Sequence, residues 1–164
     1  MTRDMFLMLL HKMEGRPVPR GSVRFSDVAH GALHHDPVIW AAESGILGGI
    51  AGIAADGAFM PKSHVTRQEM AVALLNYAGY KGYDVPKNRD MPPYADYDQI
   101  DAWARAATRM LSEAGVMGGV GDRFMPHERV NGFEVAQTLK DFVRFVAGTS
   151  QLDPCVHRRI PSKS

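Results

Sequence analysis

The sequence predicts an all-α protein with short loop or hairpin elements, assembled from helix–loop–helix repeats. Three observations predict it: self-similarity at one long period, apolar stripes at helical spacing, and glycine and proline at fixed places between the stripes. Sliding the chain by 65 positions brings Phe59, Met60, Pro61, Val65, Glu69, Ala71 and Leu74 onto Phe124, Met125, Pro126, Val130, Glu134, Ala136 and Leu139. That is seven identities in sixteen positions, far above chance. Upstream the offset becomes 70 and pairs Glu43, Gly45, Gly48 and Gly49 with Glu113, Gly115, Gly118 and Gly119. At an offset of 64, Thr2, Arg3, Leu10 and Gly15 pair with Thr66, Arg67, Leu74 and Gly79.

These offsets divide the chain. Residues 1–15 read as the closing helix of a truncated first unit and 16–24 as a linker. A second unit spans 25–79, a Pro-rich linker 80–93, a third unit 94–148 and a polar tail 149–164. The period is longer than that of common solenoids, so each unit is expected to be a small lobe rather than one layer.

Each unit uses the same parts. An aromatic-x-Asp entry (Phe25, Ser26, Asp27, Val28; Tyr94, Ala95, Asp96, Tyr97) leads into a first helix. In the third unit this helix is expected from about Gln99 to Ala114, with Ile100, Trp103, Ala104, Ala107, Met110, Leu111 and Ala114 on one stripe. Arg109 and Glu113 sit four apart on its polar side. Gly115 should end it, as Gly45 ends the shorter helix that starts near Asp36 and Pro37 as N-cap and N1. Glycine turns follow at Gly48, Gly49 and Gly118, Gly119, then turns at Asp56, Gly57 or Asp122, Arg123, which suggest a hairpin or looped connection. Phe59, Met60, Pro61 and Phe124, Met125, Pro126 place a buried aromatic before the second helix. That helix opens on Thr66 with Glu69 at capping-box spacing, carries Met70, Ala73, Leu74 and Tyr77, and should close at Gly79. The equivalent stripe of the truncated unit, Phe6, Leu9, Leu10 and Met13, lacks its own first helix and must pack on the other two units.

These parts in this order resemble the S-layer homology (SLH) domain. The resemblance rests on Phe25 through Val28, on Trp40 through Ile46, on Asp56 through Pro61 and on Val65 through Glu69. It continues in the third unit with Trp103, Ala104, Gly115, Val116, Phe124 through Pro126 and Val130 through Glu134, and covers roughly residues 1–148. It implies an incomplete three-lobed pseudo-trimer around a helical bundle. It also implies a non-catalytic anchor that holds an exported bacterial protein to the cell wall or S-layer through secondary cell-wall polysaccharide, often pyruvylated. Ligand grooves would lie between neighbouring units, with the arginine of Thr-Arg-x-Glu as a principal contact.

A pyruvate ketal is a carboxylate fixed on a sugar ring. A helix N-terminus offers N–H donors and partial positive charge to such an anion, and a first-turn arginine adds a bidentate fork. Arg67 and Arg3 fit that role. The resemblance adds Thr66, Asp27, Asp56 and Gly57, and Trp40 and Trp103 offer apolar faces to a sugar ring. Other readings stand beside these. Helix capping accounts for Thr66 and Glu69. Trp40 and Trp103 lie on helix stripes, where core packing claims them, and Asp27 and Asp96 follow an aromatic and can cap local turns. Capping does not explain Arg67, because a cation opposes the dipole at that end; a ligand or an inter-unit ion pair does. The third unit has Asn131 and Gly132 in place of Thr66 and Arg67, which keeps the N-cap and loses the cation. Function is therefore expected at the single groove around Arg67.

No cofactor, metal or catalytic set is expected. His30, His34 and His35 beside Asp36 read as a solvated loop, and His127 and Glu128 lack the second histidine of a zinc helix. A formal net charge of +1 gives no reason to expect nucleic acid or an anionic membrane. No run of about 18 apolar residues and no signal peptide is expected. The single Cys155 forms no internal disulfide, and ten methionines read as helix-stripe filler. The truncated first unit offers a surface for self-association. The alternative to a polysaccharide anchor is a structural or protein-interaction module of decayed repeats.

Overall fold

A computed structural model describes residues 1–53 and 57–150; Asp56, Cys155 and the tail from 151 onwards lie outside the described residues. Among the described residues there are five α-helices, and no β-strand. They are α1 (Arg3–Met13), α2 (His35–Glu43), α3 (Arg67–Lys81), α4 (Ala102–Ala114) and α5 (Gly132–Ser150), with a 3-10 turn at Tyr97–Gln99.

Most helix starts follow the local chemistry. Thr66 is extended and accepts from the Glu69 amide, while the Glu69 carboxylate reaches back to the Thr66 amide, a complete capping box. Asn131 replaces the threonine and still caps α5, accepting from the Glu134 amide at 2.9 Å. The boundaries differ from the sequence expectation in four places. α2 begins at His35, with Pro37 inside the first turn, where its missing N–H costs nothing. α4 begins at Ala102 rather than Gln99, because Ile100 is extended and plugs the core at 0% exposure. α3 runs past Gly79 to Lys81 and ends at left-handed Gly82. Its last turn is held from outside, since Tyr77 Oη and Lys81 Nζ each donate to Glu14 at 2.7 Å. α5 extends to Ser150, beyond the expected end of the unit. The hairpin after α4 is reduced to one antiparallel bridge between Val120 and Arg123.

The helices pack across repeat boundaries. α1 lies on α2, and α3 lies on α4, so each pair joins the closing helix of one unit to the first helix of the next. The α1 stripe finds its cover there, with Phe6 and Leu10 buried, Leu9 partly buried and Met13 exposed. No comparable helix lies along α5 among the described residues.

Three equivalent residues meet where the closing helices start. The Val65 amide donates to the Met1 carbonyl (3.1 Å), the Val130 amide to the Val65 carbonyl (2.9 Å), and the Met1 amine to the Val130 carbonyl (2.7 Å). These bonds close a ring of three around a common centre. Short antiparallel bridges, Thr2 with His64 and Thr66 with Arg129, lie just outside it.

The aromatic-x-Asp entries hold the Phe-Met-Pro loops. Asp27 accepts from the amides of Phe59 (2.8 Å) and Met60 (2.7 Å), and Asp96 from those of Phe124 (2.8 Å) and Met125 (2.8 Å). The aspartates thus cap segments about thirty residues away, not the local turns expected. Met60 and Met125 adopt φ of 57° and 58°, a left-handed backbone that costs a side chain about 1 kcal/mol or more. The carboxylates offset that cost by taking both amides at once. Phe59 and Phe124, each 0% exposed, then meet Phe25 and Tyr94 at 5.6 Å between ring centres.

Burial alone pushes the Asp96 carboxyl pKa up, but the Phe124 and Met125 amides outweigh it and hold it below its ordinary value of 3.8. Because the folded value is the lower one, this stabilisation is complete above the unfolded value and is lost as pH falls through the folded one. Asp96→Ala should cost about 3 kcal/mol in urea denaturation at pH 7, the worth of two charge-assisted hydrogen bonds to buried amides. That deficit should shrink steadily when the titration is repeated below pH 3.8.

Candidate functional site

The two arginines of the Thr-Arg starts cross from one unit into the next. Arg3 forks onto Glu69 through Nη2 (2.7 Å) and Nε (3.3 Å), and donates from Nη1 to the Phe59 carbonyl (3.1 Å). Arg67 repeats the arrangement one unit on. It donates from Nε to the Phe124 carbonyl (2.7 Å), from Nη2 to the Gly118 carbonyl, and pairs through Nη1 with Glu134. Its guanidinium lies 5.1 Å from the centre of the Phe124 ring. Arg67 is 5% exposed, and burial pulls its pKa below the ordinary value, opposed by Tyr94 and Asp96.

The backbone around these arginines is equally committed. The amides of Arg3 and Asp4 donate to the Ser63 and Pro61 carbonyls, and those of Arg67 and Gln68 to Glu128 and Pro126. The first-turn donors expected to meet an anion are therefore used by the loop of the following unit. At α1 and α3 no helix-terminus anion site remains.

The two junctions differ in openness. The cleft beside Arg3 is filled by Leu47, Ile50 and Ile53 and retains about 20 Å³. The groove beside Arg67 is open, about 550 Å³. The turn over residues 116–120 lines it, and close packing there demands glycine: a Cβ on Gly119 would lie 2.3 Å from the Arg123 carbonyl and 2.7 Å from the Tyr94 ring. Glu128, Arg129, Asn131, Glu134, Gln137 and Asp141 also line it, and every lining residue except Arg67 belongs to the third unit.

Of the expected site residues, Arg67 lines this open groove, and Arg3 lines the closed one. Thr66 is the N-cap of α3. Asp27 clamps its loop, and the Gly57 carbonyl accepts from the Ser26 amide at 2.9 Å. Trp40 is 3% exposed, packed on His11 and edge-on to Tyr80, with its Nε1 lacking a partner. Trp103 is partly buried against the core. Neither tryptophan is brought to the groove, and Asp56 lies outside the described residues. His30, His34 and His35 precede or open α2, with His34 Nδ1 3.8 Å from Asp4. Arg109 and Glu113 pair at 3.1 Å as their spacing implies.

Sequence reasoning passed over two features. Glu69, which also closes the capping box of α3, and Glu134 are partners of the preceding unit's arginine. Arg129 is exposed at the groove edge, with no ion pair among the described residues, and is the available cation there. Its signal was faint: a basic residue just before Val130, matching His64 before Val65.

Interlocked helical units with an open groove beside one junction define a repeat-type module. The family profile of the S-layer homology domain matches residues 24–71 and 93–136, and the chain belongs to that family. No curated protein matches the chain. Domains of this family are non-catalytic, occur in cell-surface and S-layer proteins, and anchor them to cell-wall polysaccharide. Among the described residues no helix is long and apolar enough to cross a membrane.

Arg67→Ala should destabilise the chain by about 3 kcal/mol in chemical denaturation, because it strands buried carbonyls and Glu134. Arg67→Lys should recover only part of that loss, since an ammonium keeps the charge but not the fork.

Proposed function

We propose that this chain attaches an exported bacterial protein to the cell wall by binding secondary cell-wall polysaccharide in the groove beside Arg67. The observation that carries the reading is the contrast between the two junctions: the one at Arg3 is filled, the one at Arg67 is open. The open groove has the chemistry of a carbohydrate site. Glu128, Asn131 and Asp141 supply acceptors for sugar hydroxyls, Gln137 and Asn131 add amide donors, and exposed Val120 gives an apolar edge.

An acidic substituent such as a pyruvate ketal meets Arg129. Arg67 already pairs with Glu134, so it shapes the groove wall and reaches the ligand only by exchanging that carboxylate for another. The groove also carries Glu128, Glu134 and Asp141, so recognition of an anion depends on direct contact with Arg129 rather than on a broad positive field. A second reading, a structural module without sugar binding, is favoured by the commitment of both Thr-Arg arginines to neighbouring units.

Arg129→Ala should weaken retention on purified wall polysaccharide roughly tenfold, the worth of one charge-assisted hydrogen bond, while leaving the melting temperature unchanged. Pyruvate-free polysaccharide should bind the unaltered chain with the same deficit, and both differences should narrow as salt rises. Equal binding of native and pyruvate-free polymer, unaffected by Arg129→Ala, would remove the anion assignment. No binding of either polymer would favour the structural reading.

A further inference from the structure

Each closing helix presents the same stripe, and in two of three cases a following first helix covers it. On α1 the stripe includes Asp4 and Leu7, at 3% and 2% exposure beneath α2. On α3 the equivalents are Gln68 and Ala71, at 3% and 0% beneath α4, with Ala78 at 0% further along. The matching residues on α5 are Phe133, Ala136 and Val143. Phe133 is 81% exposed, Val143 is 51% exposed, and Ala136 is exposed as well. The first-turn amides repeat the contrast. Those of α1 and α3 donate to Phe-x-Pro loops, whereas those of Gly132 and Phe133 have no protein acceptor among the described residues.

The third junction also lacks its polar lock, and lacks both halves of it. Arg3 meets Glu69 and Arg67 meets Glu134; the next pair in the cycle is Gly132 with Met5. Arginine and glutamate are gone together, and Met5 is 54% exposed. Neither leaves a stranded charge, so this junction can stand open without the penalty that opening the other two would carry.

We infer that the outer face of α5 docks a half-repeat of the same kind, carried by a separate polypeptide. The occupant is an aromatic-x-Asp entry, a short amphipathic helix and a Phe-x-Pro loop. Its helix covers Phe133, Ala136 and Val143, and its loop carbonyls accept from the Gly132 and Phe133 amides, as Pro126 and Glu128 accept at α3. Position matters at the helix start. Asp4 and Gln68 face the N-cap residues His34 and Asp101, through a 3.8 Å contact and a 2.6 Å hydrogen bond. Phe133 therefore asks for an apolar or small side chain at that place. Lys140, exposed at the centre of the stripe, favours an acidic neighbour. The absent lock is what points to a separate chain, because an apolar contact without a buried ion pair can form and part reversibly. This surface shares Phe133 with the groove proposed for polysaccharide but extends past it, and Ala136 and Val143 are no part of that groove.

The test uses the intact chain and a fluorescent peptide with the sequence of residues 25–64 carrying His34→Ala, which puts a small side chain opposite Phe133. Saturable binding by anisotropy is expected, with a rise in melting temperature. Val143→Asp should weaken it at least tenfold without changing the circular dichroism of the free chain or its retention on polysaccharide, and Arg129→Ala should leave peptide binding intact. As a guard against a peptide that cannot fold alone, the same segment fused ahead of Met1 raises its effective concentration to the order of millimolar. Stabilisation of the fusion, cancelled by Val143→Asp, together with binding of the free peptide supports the inference. No binding and no stabilisation overturns it. Stabilisation of the fusion alone overturns the separate-chain source. Self-association of the unaltered chain that Val143→Asp disperses overturns it in favour of a second copy.

Discussion

Arg3 and Arg67 each reach out of the helix that closes one unit and into the loop that folds the next. Everything else is arranged around that crossing. The guanidinium takes the carbonyl of the core phenylalanine, so it fixes where the Phe-x-Pro loop stands. It pairs with the glutamate of the next closing helix, so it fixes where that helix starts. The amides beside it bond the same loop, and the residues just before it form the central ring. A cation in the first turn opposes the helix dipole. Here the neighbouring glutamate and carbonyls outweigh that cost, which is why the arginine persists where a good helix sequence would avoid it.

A second constraint prepares the loop for this contact. The aspartate of each entry takes two successive amides and holds a methionine in the left-handed region. That backbone turns the phenylalanine ring into the core and its carbonyl towards the incoming arginine. Entry, loop and lock thus form one chain of dependence that runs from one unit to the next. The groove beside Arg67 depends on it too, since its lining belongs to the third unit apart from Arg67, which reaches in from the second.

Much of the architecture was legible in the sequence because it is written in local chemistry. The capping box at Thr66 and Glu69, the stop at Gly115 and the stripe on α4 need only neighbouring residues to be read. The start of α4 was misplaced because Ile100 belongs to the stripe by spacing while its backbone is extended to fill the core. The continuation of α3 past Gly79 depends on Glu14, more than sixty residues away, and no local pattern carries that. The site was half legible. Arg67 stood out because the helix alone could not explain it. Its partner Glu134 was hidden by an adequate local explanation, and the joint loss at Gly132 and Met5 gains meaning only once the packing order is known.

The unit that repeats in the sequence is not the unit that packs, since α1 with α2 and α3 with α4 each straddle a repeat boundary. A ring of three identical contacts would have three equivalent places to open. Here two are bolted by the same arginine and glutamate, and the third carries glycine and methionine. The array therefore has a direction, and its seam is written into the chain. Parting at that seam breaks no arginine–glutamate pair, whereas parting either bolted contact strands both charges.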